Sequence, residues 1–192
     1  ILRYACLLAV LGVVAVALVP RATAKQHSNS RKQAAEHARK QAAEHALMAR
    51  LLQGIATRRD ETWRWERVMH RARTPYVDSA RRIRSVAYRK WVLHLWHHRA
   101  VKAKRQALTP PHRREWLCIH NYEGRWTDSG APYYGGLQMD REFQATYGPE
   151  LLRKKGTADH WTPLEQMWVA ERAYRTRGFW PWPNTARNCG LL

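Results

Sequence analysis

The chain has 192 residues, with 34 Lys+Arg against 15 Asp+Glu and a formal charge of +19, which suits one modest domain plus extensions. Charge of this size points to a polyanionic partner, whether nucleic acid, an anionic membrane or an anionic cell surface. Ten Trp and eight Tyr exclude a purely solvated polycation, because so much aromatic surface can bury a core.

From Tyr4 to Val19 the sequence is uncharged and almost entirely Leu, Val and Ala. The run falls short of the roughly 20 residues that span a bilayer, and Pro20, Arg21 and the small-x-small triplet Ala22-Thr23-Ala24 follow it. This pattern predicts a secretory signal peptide over residues 1–24, with an uncleaved anchor helix as the alternative. In either case the remainder is expected to be exported, secreted or wall-associated. Cys6 then leaves with the leader, and Cys118 and Cys189 remain in a compartment that permits a disulfide. Closing a loop of that size is worth about 4 kcal/mol by chain entropy. A zinc site built on Cys118 and His120 is the weaker alternative, because no second matched pair accompanies it. No metal or organic cofactor is expected.

Residues 25–46 form a helical spacer in which RKQAAEHA occurs twice in succession, at 31–38 and 39–46. Ala, Gln, Glu, Lys and Arg favour helix. Eight residues make about 2.2 turns, so equivalent positions drift around the axis and no buried face is expected. Residues 47–108 read as two or three basic amphipathic helices, broken at Gly54 and at Thr74-Pro75. Tyr88, Trp91, Val92, Leu95 and Trp96 mark an apolar stripe that either docks on a neighbouring domain or lies on a membrane or wall surface. Nucleic acid is not the expected partner of an exported chain. Thr109-Pro110-Pro111 predicts the next boundary, with Thr109 as N-cap of the following helix. Residues 1–115 hold 25 Lys+Arg against 7 Asp+Glu, a net of +18, whereas residues 116–192 hold 9 against 8, a net of +1.

Residues 109–192 predict a small, mainly α domain with a minor β element. A first helix runs from about Pro111 to Glu123 and stops at Gly124. An irregular or hairpin-like stretch covers 125–139. Asp140 caps a helix ending at Gly148, and Pro149 opens another that stops at Gly156. Thr162-Pro163-Leu164-Glu165 is a capping box for a helix through about Arg177, closed by Gly178. The tail 179–183 is expected to be irregular, with its rings on the core. Trp116, Ile119 and Glu123 share one face of the first helix. The last turn of a helix disfavours negative charge, and Tyr122 and Trp126 flank Glu123 in sequence. Both features favour the protonated carboxyl that a general acid needs. Surface pairing of Glu123 with Arg125 is the plainer alternative.

Three stretches, WLCIHNYEGRW, SGAPYYGGLQM and WVAERAYRTRGFWPWPNTARNC, in this order, resemble the transglycosylase-like domain of resuscitation-promoting factors, over about residues 112–192. The resemblance implies a small α+β lysozyme-like fold that cleaves the β-1,4 bond between N-acetylmuramic acid and N-acetylglucosamine in peptidoglycan. Glu123 falls on the family's single catalytic glutamate. Trp126, Ser129, Tyr134 and Gln138 fall on cleft positions, Ser129 replacing the usual threonine in a loop one residue shorter. Gly135-Gly136 are suited to letting backbone approach a sugar, although each is equally suited to a turn, and the tyrosines equally to core packing. The family's first cysteine usually sits immediately before the glutamate, where this chain has Tyr122. Cys118 lies one turn earlier, so a partner for Cys189 remains on the same face, with the geometry of the bond left open.

Two functions therefore stand open. One is a lytic transglycosylase or muramidase with Glu123 as acid and then base, Asp128 and Asp140 being mere guesses for a second carboxylate. The other is a non-catalytic wall- or membrane-surface binder that works through its basic helices.

Overall fold

The computed structural model describes residues 21–192. Apart from its last four residues, the expected leader over 1–24 lies outside the described residues. The chain divides into two units, residues 1–46 and 47–192. Eight helices and one two-stranded antiparallel sheet occur among the described residues.

Helix α1 spans Arg21–Val68. In the first unit, residues 26–46, which include the repeat, are exposed at every position. Glu36 and Lys40 pair across one turn at 2.7 Å, in the favourable order of acid before base.

In the second unit, α1 does not break at Gly54. A Cβ there would lie 3.1 Å from Leu93 Cδ1, so the glycine lets α1 and α3 (Val86–Leu108) approach closely. The helix ends instead at Val68, where His70 adopts φ 53°. Arg71 N donates to Glu66 O at 2.8 Å and His70 N to Arg67 O at 2.9 Å, the pair of bonds that closes a Schellman turn. Thr74 does sit in the break, where its N–H donates to buried Glu66 Oε2 at 2.9 Å and its carbonyl accepts from Trp63 Nε1 at 2.9 Å. A short helix, α2 (Ser79–Arg82), precedes α3; Ser85 caps α3 by accepting from Tyr88 N.

The buried stripe of α3 differs from the expected one. Arg89, Val92, Trp96, Ala100, Ala103 and Ala107 are buried, at spacings of three and four, whereas Trp91 is 58% exposed. Helical geometry puts small alanines inward over the second half of α3 and leaves the bulky Trp91 outside. Val92 and Trp96 pack on Ile55 and Ala80, so the stripe's first half faces α1. Its second half joins Met69 and Trp168, and Trp168 Nε1 donates to Ala107 O at 2.8 Å. The change of charge around residue 115 therefore lies inside one contiguous unit.

Thr109 caps the end of α3, not the start of the next helix; its hydroxyl donates back to Arg105 O. Helix α4 covers Arg113–Glu123 and stops at Gly124. Its first turn is served from far along the chain: Glu171 Oε1 accepts from His112 N at 2.7 Å and from Trp116 Nε1 at 2.9 Å. The hairpin pairs β1 (Tyr133–Tyr134) with β2 (Met139–Asp140), Tyr133 opposite Asp140. Asp140 caps α5 (Arg141–Tyr147) through Phe143 N at 2.7 Å. Helix α6 spans Pro149–Lys155, and the capping box opens α7 (Pro163–Arg177), both as expected. Residues 179–182 are irregular as expected, and only the last residue of that tail, Pro183, is helical, at N1 of α8 (Pro183–Asn188). Phe179 and Trp182 lie on the core as expected, while Trp180 is 62% exposed. Trp116, Ile119, Leu137, Met139, Phe143, Trp161 and Val169 form the centre of that core, which holds the hairpin against α4, α5 and α7.

Candidate active site

The end of α4 carries Glu123, half-buried. Trp116 and Ile119 on the same face are fully buried, and this anchors the helix so that its last turn is fixed at the edge of the core. Cys118 and Cys189 are joined, with their Cα atoms 6.1 Å apart, which ties α4 to the end of α8 and commits Cys118 to a bond other than a metal. Thr185 lies one turn before Cys189, and its hydroxyl donates to Glu123 Oε1 at 2.8 Å. Among the described residues no ion pair joins Glu123 to Arg125. Tyr122 is 58% exposed, so it does not bury the carboxyl as its position in sequence suggested.

Gly124 follows at once, and a Cβ on it would lie 3.1 Å from Asp128 Oδ2 and 3.2 Å from Gln138 Nε2. Gln138, at φ 45°, donates from Nε2 to Asp128 Oδ2 at 2.9 Å and to Gly135 O at 3.0 Å. Asp128 also accepts from Gly130 N at 3.1 Å through Oδ1. The end of α4, the 125–130 loop and the hairpin turn thus meet around one carboxylate–amide contact. Asp140 is used as a helix cap, and Asp128 is spent on ordering its own loop.

The paired glycines serve packing inside the protein. Gly135 has φ 75°, a conformation costly for residues with a Cβ, and a Cβ at Gly136 would fall 2.6 Å from His120 Nδ1 and 2.7 Å from Trp126 Cε3. Trp126 stacks on His120 with centroids 3.9 Å apart. Beneath them Gln166, fully buried, accepts from Gly136 N at 2.8 Å and donates to Trp126 O and Ala158 O, each at 2.8 Å. Ser129 is exposed on the loop.

Beside the hairpin lies an open cavity of about 450 Å³ whose wall includes Tyr133, Gln138, Asp140, Glu142 and Arg177. Alternation along β1 puts Tyr133 on this wall and packs Tyr134 against the core. Of the four cleft positions that the resemblance implied, Gln138 lines the cavity, together with Asp140. Glu123, Trp126 and Ser129 are not on its wall. The roles of Thr185, Gln166 and Glu171 escaped the sequence reading, since their partners are 62, 30 and 55 residues away and no local pattern marks such pairs; His120, expected only as a weak zinc candidate, instead stacks on Trp126. The chain matches no protein-family model, no curated protein and no solved structure.

Proposed function

We propose that the protein is an exported peptidoglycan-cleaving enzyme acting on the β-1,4 bond between N-acetylmuramic acid and N-acetylglucosamine. The observation that carries this reading is the placement of Glu123: half-buried at a helix end, oriented by Thr185, and next to the Asp128–Gln138 contact. The order of the EGRW, YYGGLQ and WPNTARNC segments supports it, as does a mainly helical fold with one small hairpin. The disulfide is compatible with export.

In this mechanism Glu123 begins protonated and donates its proton to the glycosidic oxygen, which leaves with the bonding electrons as C1 gains oxocarbenium character. The resulting carboxylate then removes a proton from the muramic acid 6-hydroxyl, whose oxygen closes on C1 to give a 1,6-anhydro product. If water takes the place of that hydroxyl, the product carries a reducing end. Asp128 and Asp140 are occupied by loop and cap bonds, which favours chemistry that needs one carboxylate. The +18 carried by residues 1–115 is assigned to attraction toward the anionic envelope rather than to the reaction.

A second reading, a non-catalytic envelope binder, draws on the position of Glu123 off the wall of the 450 Å³ cavity. Mass spectrometry of purified walls treated with the full chain separates the two. Anhydro-muramyl products support the transglycosylase, reducing ends alone support a muramidase, and undigested walls refute the enzyme.

A further inference from the structure

Between the C-terminal end of α1 and helices α6 and α7 lies a pocket of about 170 Å³. It has the room of about five or six liquid waters at ~30 Å³ each. Arg64, Arg67 and His70 line it from the α1 side; Lys154, Lys155 and Arg172 line it from the other. Its two carboxylates are already matched one to one. Glu150 pairs with Lys154 at 2.5 Å, and Glu165 pairs with Lys155 at 2.7 Å while also closing the capping box.

Three guanidinium groups make no ion pair within 4.0 Å among the described residues, although the Glu150 carboxylate acts on Arg67 and Arg172 through space. Arg64 lies over the Trp65 ring, and Arg67 makes no side-chain hydrogen bond among the described residues while it adds to the field on Glu150. Arg172 donates through Nε to Tyr147 O, which leaves its Nη donors unassigned. Burial, with Arg175 adding to it, pulls Arg172 down to about 10. A half-buried cation with spare donors is stabilised by an anion that accepts them. The cationic lining continues into an adjoining hollow of about 300 Å³ that adds Arg71 and Arg73. Donors converging from both sides of a small pocket suit a tetrahedral oxyanion, whose oxygens point in separate directions, better than a planar carboxylate.

We propose that the pocket between α1 and α6–α7 is a phosphate-binding site, filled by free phosphate or by a phosphate group of a polymer that continues along the Arg71–Arg73 hollow. The site is independent of the glycosidase reading, and its test involves no wall digestion.

The test is calorimetric titration of the full chain with inorganic phosphate at constant ionic strength, chloride making up the balance. Saturable one-site binding is expected, weakened about tenfold or more in Arg67→Gln, the loss expected for one charge-assisted hydrogen bond. Arg67 is exposed, so this variant should fold even if Arg172→Gln, which removes the donor to Tyr147 O, does not. Arg141→Gln, at an exposed residue of α5 outside the pocket, should titrate as wild type. A short glycerol-phosphate oligomer binding more tightly than inorganic phosphate identifies a polymer-borne group, and equal or weaker binding identifies the free anion; both outcomes support the site. Heat absent at constant ionic strength, or unchanged affinity in Arg67→Gln, would overturn it.

Discussion

Gln166 offers the sharpest check on how the candidate site is held. Its amide sits fully buried on α7 and contacts the hairpin, the loop after α4 and the segment before α7. Oε1 accepts from Gly136 N, while Nε2 donates to Trp126 O, Ala158 O and, at 3.1 Å, Trp161 O. Gln166→Leu preserves approximate volume but leaves an N–H and at least two carbonyls without a partner. Each buried unsatisfied group costs about 1–3 kcal/mol, and relaxation will recover some of it, so a total of about 3–6 kcal/mol is expected. That is a large share of the roughly 5–15 kcal/mol that stabilises an ordinary domain. At about 2–4 °C per kcal/mol for a chain of this size, the midpoint should fall by roughly 10–20 °C in a thermal melt followed by circular dichroism. Urea unfolding should show the same loss with an unchanged slope. A variant within about 1 kcal/mol of wild type would mean that the amide does not clamp the hairpin and that the placement of Gln138 and Trp126 has another cause.

Two glycines should respond in opposite senses to alanine. Gly54→Ala gains about 1 kcal/mol of helix propensity against one flexible Leu93 terminus 3.1 Å away, so it should be neutral or stabilising in urea melts. Gly136→Ala meets two rings below 3 Å and should lose about 1–3 kcal/mol by overpacking. Thr185→Val removes the donor to Glu123; on soluble glycan substrate it should lower kcat about tenfold while leaving KM near wild type, the pattern of lost positioning. Lys154 holds the Glu150 carboxyl below its usual value, with Arg67 and His70 helping. A depressed carboxyl adds stability above its unfolded pKa of 4.5 and loses it as pH falls through the lower folded value. Glu150→Gln should therefore be slightly less stable than wild type at pH 7, by well under 1 kcal/mol because the pair is exposed. The difference should shrink in acid melts as pH falls below 4.5 and through the lower folded value.

What could be read from sequence were the signals that act within one turn. Asp140, the Thr162–Glu165 box and the stops at Gly124, Gly148, Gly156 and Gly178 each satisfy or release neighbouring backbone groups, and all fall where expected. Gly54 misled because a helix-breaking residue inside a long helix is decided by what packs on it, here Leu93. The inner face of α3 misled because large residues draw attention while its alanines make the contact with Trp168. Thr109 failed as a cap because Glu171, 59 residues beyond His112, already serves the start of α4. In the candidate site, Glu123 was visible through the motif resemblance and the Cys118–Cys189 pair through the cysteine count of an exported chain. Thr185 was not, since its role depends on the disulfide bringing α8 to α4.

The most direct test of the central claim compares wild type with Glu123→Gln on purified cell walls, following both release of soluble muropeptides and sedimentation of protein with the walls. The variant keeps an acceptor for Thr185 but cannot donate a carboxylic proton. The account predicts that muropeptide release falls to background while co-sedimentation is unchanged. Release at the wild-type rate by Glu123→Gln, or no release by the wild type under conditions where it binds, would contradict it.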